Sequence, residues 1–197
     1  MFTDPVLQKL VEKYPAPKFE DRSNLLMKEL IEHVISQQLS VKASDTIFKR
    51  FVNLFSKNNF PTAEQILAIE DEKIRSAGIS YSKITYIKSV ANAFVSDLID
   101  IEKIRKQSDE EVIAELTQIK GIGQWTAEMV LISTLKRPDV FSIGDLGLRN
   151  AITKLYGITD RKEMLKLSET WSPHRSTACW YLWRSLENKS EIDSQLP

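Results

Sequence analysis

The chain has 197 residues, of which 42% are hydrophobic, and its 27 basic residues balance its 27 acidic ones. This balance argues against a histone-like polycation, although unevenly distributed charge still allows binding to nucleic acid. The one cysteine, Cys179, excludes a disulfide framework, a cysteine-based zinc site and an iron–sulfur cluster. No apolar run approaches the roughly 20 residues that span a bilayer, and the first residues do not resemble a secretory signal. We therefore expect a protein of the cytoplasm or the nucleus.

The spacing of apolar residues predicts an all-α chain with eight to ten helices and no strand. Ser40, Thr62 and Ser108 are expected N-caps, and Ser172-Pro173 is expected to open the last helix with proline at its first position. The segment near 106–108 is a candidate boundary between two lobes of one domain, 24–106 and 107–190 plus the N-terminal residues. In chain order, helices are expected over or near 26–34, 40–55, 62–69, 71–78, 84–98, 108–116, 124–135, 146–156 and from 172 onward.

A glycine turn joins two of these helices within residues 116–127. Gly121 and Gly123 allow positive φ and the close approach of another backbone. The exposed N–H groups of the turn, and of the next helix's first turn, can bind phosphate oxygens without reading base sequence. Ile122 would anchor the turn in the core. A plain helix–helix connection would show the same pattern, so the turn alone leaves both interpretations open.

The order of the motifs is more specific than the turn. Residues 116–127 read Leu-Thr-Gln-Ile-Lys-Gly-Ile-Gly-Gln-Trp-Thr-Ala, which resembles the helix-hairpin-helix of DNA repair glycosylases. Twenty residues after Trp125, Asp145 stands in a glycine-containing loop that is similar to the superfamily's loop with an essential aspartate. Three further stretches resemble the DNA-3-methyladenine glycosylase II family in that family's order: 35–43, 77–83, and 171–176 with 181–184.

The resemblance extends from about residue 24 to residue 185. It implies a two-lobed, all-helical glycosylase fold with the active-site cleft between the lobes. Some family members carry an N-terminal sheet domain, for which this chain is too short, so we expect the compact, helix-only form.

The resemblance implies an enzyme that hydrolyses the N-glycosidic bond of alkylated purines, such as 3-methyladenine and 7-methylguanine, in duplex DNA. Such a base is cationic and leaves without protonation, while the sugar gains oxocarbenium character. A fixed carboxylate beside the sugar stabilises that charge and can orient or deprotonate the attacking water. Asp145 is the candidate. It is also a candidate N-cap for the helix starting at Leu146, and both roles can hold together.

The base must leave the stack before it can react, and an electron-rich aromatic pocket would favour a cationic base. Trp125 and Trp183 match pocket aromatics of the family, although core packing is the alternative for each. Met129, one turn after Trp125, is a third candidate, at a position where some members carry tyrosine. Bifunctional relatives place a lysine at the position of Trp125, and that amine forms a Schiff base. We therefore expect a monofunctional glycosylase without lyase activity.

Leu39 matches the side chain that fills the gap left by a flipped base, and its alternative is an ordinary core leucine. Gln38 and Ser40 are candidates for contact with the minor groove or the DNA backbone. In the hairpin the expected DNA contacts are Lys120, Gly121, Gly123 and Thr126.

Backbone carbonyls at Thr117, Ile119 and Ile122 match positions that hold Na⁺ or K⁺ in related hairpins, and no other cofactor is expected. His33 and His174 stand apart from each other and from Cys179, which does not predict a transition-metal site. We interpret His33 as a helix-face residue.

Two alternative functions remain. One is a glycosylase for oxidised or mismatched bases, against which the stretches at 35–43 and 171–176 argue. The other is a catalytically silent DNA-binding module, which would not need Asp145. Damaged double-stranded DNA is the expected partner, without a membrane. We expect a monomer, since no extended apolar face is evident beyond one core. The sequence leaves open which of 3-methyladenine, 7-methylguanine, ethenoadenine and hypoxanthine is preferred.

Overall fold

The computed structural model describes residues 2–18, 20–55 and 59–186, and all regular structure in these residues is helical. A short 3-10 helix at Ser23–Leu25 precedes the second α-helix. Within these described residues, no helix combines the length and the apolar character needed to cross a membrane. In chain order they are α1 (Pro5–Lys13), α2 (Leu26–Ser36), α3 (Val41–Asn53), α4 (Ala63–Ala68), α5 (Asp71–Ser76), α6 (Tyr81–Val95), α7 (Ile101–Ile104), α8 (Asp109–Leu116), α9 (Gln124–Ser133), α10 (Leu146–Tyr156), α11 (Arg161–Glu169) and α12 (Arg175–Arg184).

The all-helical class is confirmed, but this part of the chain has more helices than the eight to ten predicted. The additional helices are α1, α7 and α11. Each begins at an aspartate whose side chain accepts hydrogen bonds from backbone N–H groups of the first turn: Asp4, Asp100 and Asp160. The aspartate cap before each of these helices was a signal that the sequence offered.

The expected N-caps are confirmed, but the predicted start of the last helix is wrong. Ser40, Thr62 and Ser108 all cap their helices, the last two in complete capping boxes. Helix α12 begins at Arg175, three residues after Ser172. The Ser172 hydroxyl donates instead to Asp139 Oδ2 at 2.8 Å. Asp139 also accepts hydrogen bonds from the backbone N–H and the guanidinium of Arg175, and these bonds set where the helix starts.

The chain forms two compact units, a larger one of residues 21–135 and a smaller one of residues 1–20 with 136–197. In the larger unit α2 packs against α3, α6 and α9, and α4 and α5 pack against α6. In the smaller unit α12 packs against α1 and α10. Leu30 and Ile87 are fully buried in the larger unit, as are Leu7 and Leu148 in the smaller one.

This division differs from the predicted boundary near residues 106–108. Lys103 Nζ and Gln107 Nε2 both donate to Glu115 Oε2, at 2.6 and 2.7 Å, and they join α7 to α8. Arg105 donates to Ser23 Oγ at 2.9 and 2.7 Å. These contacts hold residues 107–135 in the larger unit. The predicted second lobe ended at residue 190, and its residues 187–190 lie outside the described part of the chain.

Candidate active site and DNA-binding loops

Asp145 ends the loop before α10 and caps that helix. Its backbone is extended, with φ −72° and ψ 123°, and its Oδ1 accepts a hydrogen bond from the Leu148 N–H at 2.8 Å. Arg149 Nη1 donates to the carbonyl oxygens of Ile143 and Gly144 at 2.8 and 2.7 Å. Arg149, which belongs to α10, therefore stabilises the loop that precedes this helix.

Trp183 of α12 supplies a second donor to the same carboxylate oxygen. Its Nε1 lies 2.9 Å from Asp145 Oδ1. Gly147 makes this approach possible, because a Cβ there would lie 3.1 Å from Asp145 Oδ1 and 3.3 Å from Trp183 Cδ1. The structure thus brings two predicted site residues into contact. The Trp183 indole N–H orients the Asp145 carboxylate. The pocket role of Trp183 remains a prediction.

The hairpin turn between α8 and α9 depends on Gly121. Its φ is +96°, and a Cβ added there would lie only 2.3 Å from Cγ of Tyr86, on α6. Gly123 is the N-cap of α9 and has no side chain to satisfy the first-turn N–H groups. Ile119 and Ile122 are buried and anchor the turn. The uncapped start of α9 has the donor geometry and partial positive charge that suit an anion.

The remaining residues predicted in the hairpin differ in their exposure to solvent. Lys120 and Gly123 are exposed and accessible to DNA. Thr126 is only 2% exposed, so the structure makes it a packing residue and not the surface contact that was predicted. Of the three proposed cation ligands, the Ile119 carbonyl already accepts a hydrogen bond from the Ile122 N–H at 3.0 Å.

The loop between α2 and α3, residues 37–40, carries the other predicted DNA contacts. Leu39 is 39% exposed, so the alternative of a core leucine is wrong. Gln38 adopts φ +60°, a left-handed conformation that is uncommon for a residue with a Cβ. The Ser40 hydroxyl accepts a hydrogen bond from the Ala43 N–H and caps α3. The loop thus presents an apolar side chain to solvent from a constrained backbone.

Trp125 lies in the first turn of α9 and is 37% exposed, which excludes burial in the core. Met129, one turn later, is only 8% exposed. The ring of His33, on α2, meets Trp125 edge to face with centroids 6.4 Å apart. Burial lowers the pKa of His33, so the ring stays neutral to lower pH than an exposed histidine would. Sequence analysis had treated His33 only as a helix-face residue, because the contact joins two distant helices.

His33 also lines a cavity of about 300 Å³ in the larger unit. Burial and neighbouring Glu29 raise the pKa of Glu32, one of its lining residues. The carboxylates make the cavity acidic, while Phe48 contributes an apolar wall. The cavity is lined by Glu29, Glu32, His33, Ser36, Ser44, Asp45, Phe48 and Ser133.

Residues 31–174 match the family described as HhH-GPD superfamily base excision DNA repair protein. The matched span includes the α2–α3 loop, the hairpin and Asp145. The chain belongs to the HhH-GPD superfamily. This membership confirms the helix-hairpin-helix resemblance.

Individual named proteins are also similar to this chain. The chain is 44% identical over 162 residues to DNA-3-methyladenine glycosylase 1 of Schizosaccharomyces pombe, covering 80% of this chain and 71% of that protein. The structure of S. pombe 3-methyladenine DNA glycosylase (Mag1) in complex with abasic DNA matches with a TM-score of 0.85 and 38% identity, covering 99% of this chain and 96% of that one. The DNA-3-methyladenine glycosidase of Bacillus halodurans matches with a TM-score of 0.79 and 34% identity, over 96% and 88% of the two chains.

Proposed function

We propose that this HhH-GPD protein is a monofunctional DNA glycosylase that removes alkylated purines of the 3-methyladenine and 7-methylguanine type from double-stranded DNA, in the cytoplasm or nucleus where genomic DNA is repaired. The observation that carries the proposal is the Asp145 carboxylate, held by the Leu148 N–H and the Trp183 indole N–H. A silent DNA-binding module would need this aspartate only as the cap of α10. The names of the relatives support the same activity and the same substrate class.

Asp145 acts on the sugar in this proposal. An alkylated purine carries a positive charge and departs as a neutral base when the N-glycosidic bond breaks. The bond electrons leave with the base, and positive charge develops on the sugar as an oxocarbenium ion. The ionised Asp145 stabilises that charge and accepts a proton from the attacking water. Because both hydrogen bonds to its Oδ1 exist before substrate binds, the carboxylate needs little reorganisation during the reaction.

The hairpin and the α2–α3 loop act on the DNA. The uncapped N-terminus of α9 binds a phosphate through its backbone N–H groups, and the exposed Lys120 adds a positive charge. Leu39 enters the stack and fills the space vacated by the flipped base. Gln38 and Ser40 contact the minor groove or the backbone on either side of it.

The residue at position 125 distinguishes a monofunctional glycosylase from one that also cleaves the DNA strand. The exposed ring of Trp125 can contact a cationic base through a cation–π interaction, as Trp183 can through its own ring. Trp125 has no amine, so it cannot form the Schiff base that precedes strand cleavage. Treatment with borohydride during turnover should therefore trap no covalent protein–DNA adduct.

We propose that a monovalent cation binds next to the end of α8. The last carbonyls of a helix have no intrahelical donor and carry partial negative charge. Thr117 is the C-cap of α8, and its carbonyl, with those of Ile119 and Ile122, would hold Na⁺ or K⁺. When bound, the cation would contribute positive charge toward a DNA phosphate.

The proposal is tested by release of free bases from methylated duplex DNA under single-turnover conditions. Asp145→Asn should lower the excision rate by at least about 100-fold, because the developing positive charge loses its counterion. Affinity for abasic DNA should change by no more than about threefold, since asparagine keeps the size and the cap.

Asp160→Asn is the matched control, because Asp160 caps α11 through the same kind of hydrogen bonds. This control should excise at the wild-type rate. An active Asp145→Asn variant would remove Asp145 from the mechanism. A wild-type protein that binds DNA and releases no alkylated base would instead favour the silent module or a glycosylase for another lesion.

A further inference from the structure

The α2–α3 loop that carries Leu39 is tied to two other elements of the larger unit. Lys83, in the first turn of α6, donates from Nζ to the carbonyl oxygens of Ile35 and Gln37, both at 2.7 Å. Gln37 donates from Nε2 to the carbonyl oxygen of Gly121, in the hairpin, at 3.2 Å. One hydrogen-bond network therefore joins α6, the loop and the hairpin.

Lys83 is placed where α2 ends. The last carbonyls of a helix carry partial negative charge, so a cation beside them is favourable. Lys83 is half-buried, and burial lowers the pKa of its side chain. Burial removes part of the water around the Lys83 side chain. Its ammonium bonds instead to main-chain oxygens at the point where the loop leaves α2.

Helix α6 braces the hairpin as well as the loop. Tyr86, one turn after Lys83, packs its ring into the space beside Gly121 that a Cβ would fill. The same two turns of α6 thus contact the hairpin through Tyr86 and the loop through Lys83. Gln38 holds φ +60° within this frame. A strained residue persists where its surroundings over-determine its conformation.

We propose that Lys83 and Gln37 are positioning residues that hold Leu39 at a fixed distance from the hairpin, so that a phosphate bound at the hairpin places Leu39 at the base to be flipped. This inference rests on the proposed function, in which the hairpin binds phosphate and Leu39 fills the stack. Two steps of the reaction then depend on different residues. Lys83 and Gln37 affect extrusion of the base, while Asp145 affects cleavage of the bond.

The test compares excision of one lesion in two DNA contexts. In an ordinary duplex the base must be unpaired and unstacked, whereas opposite an abasic site much of that cost is absent. Lys83→Met removes the donors and keeps the aliphatic stem. It should lower single-turnover excision from the paired duplex by about 10- to 100-fold, and from the unpaired context by no more than about threefold. Lys83→Arg, which can donate to both carbonyls, should restore the paired rate to within about threefold of wild type.

Lys88→Met is the matched control. Lys88 lies on the same helix and also donates to a main-chain carbonyl, that of Ile69, at 2.9 Å, but it has no bond to the α2–α3 loop. Its loss should leave the ratio of paired to unpaired rates unchanged. Gln37→Glu removes the donor to Gly121 at nearly constant size and provides a second test if Lys83→Met does not fold. Gln37→Glu should lower the ratio in the same direction as Lys83→Met.

Leu39→Ala separates failure of this inference from failure of the proposed function. If Leu39→Ala excises from the paired duplex at the wild-type rate, Leu39 does not fill the stack and the proposed function of the loop is wrong. If Leu39→Ala lowers the ratio of paired to unpaired rates while Lys83→Met and Gln37→Glu leave it unchanged, the positioning role is overturned. Equal losses in both DNA contexts for Lys83→Met, matched by Lys88→Met, would overturn it too.

Discussion

At the residue scale, a single oxygen of Asp145 accepts hydrogen bonds from two donors that lie far apart in the sequence. The Leu148 N–H comes from the first turn of the helix that Asp145 caps, and the Trp183 N–H comes from α12. The first bond was foreseeable, because an aspartate before a helix is a common N-cap. The second was not, since nothing in the local sequence indicates which distant indole reaches the carboxylate.

Trp183→Phe should isolate the second bond. Phenylalanine keeps an aromatic ring and removes the only donor that Trp183 offers Asp145. A hydrogen bond to a charged group contributes about 1.5–3 kcal/mol, so single-turnover excision should fall by about 10-fold or more. Affinity for abasic DNA should stay near the wild-type value. Trp180→Phe on the same helix is the control, and an unchanged rate for Trp183→Phe would mean that the indole N–H does not orient Asp145 during catalysis.

At the element scale, the hairpin shows which glycine the fold requires. Sequence analysis assigned the same importance to Gly121 and Gly123. The structure separates them, because Gly121 has φ +96° and lies against Tyr86, while a Cβ at Gly123 would meet nothing within 4 Å. Gly121 is needed for the turn to form beside α6. Gly123 leaves the start of α9 open to an anion.

Gly121→Ala should lower the free energy of unfolding by about 1–3 kcal/mol, because it combines a left-handed backbone with a collision against a ring. DNA affinity should fall with it, as the turn is displaced. Gly123→Ala should cost about 1 kcal/mol or less, the usual difference between glycine and alanine at an N-cap. Chemical denaturation of both variants measures the difference, and equal losses of stability would contradict the role given to Tyr86.

At the scale of the whole molecule, the unit that carries Asp145 is built from both ends of the chain. Helix α1 buries Leu7 and Leu10 and packs against α12. Asp4 caps α1 through Oδ1, which also accepts a hydrogen bond from the Tyr156 hydroxyl at 3.0 Å, while its Oδ2 accepts one from Trp171 Nε1 at 3.2 Å. Asp4 and α1 therefore complete a core whose other residues lie far along the chain.

Asp4→Ala should destabilise the protein more than the loss of an ordinary cap. It removes the cap of α1 and leaves the Tyr156 hydroxyl and the buried Trp171 N–H without this acceptor, for a loss of about 2–4 kcal/mol in the free energy of unfolding. Asp100→Ala, which removes only the cap of the short α7, should cost about 1 kcal/mol. Denaturant titrations of the two variants test this order, and equal losses would show that Asp4 does not join α1 to the smaller unit.

Local sequence was enough for the helical class, for the N-caps Ser40, Thr62 and Ser108, and for the order of the motifs. The class and the caps depend on periodicity and on side-chain chemistry within a few residues, whereas Asp145 and Leu39 were selected as candidates by resemblance to a family. Tertiary contacts were needed for the division into units, the burial of Thr126, the indole bond to Asp145 and the network through Lys83 and Gln37. The hydrogen bonds among these join residues 38 to 84 positions apart. Packing of buried helix faces selects such partners, and neither periodicity nor local spacing records which distant backbone oxygen or carboxylate a side chain will meet.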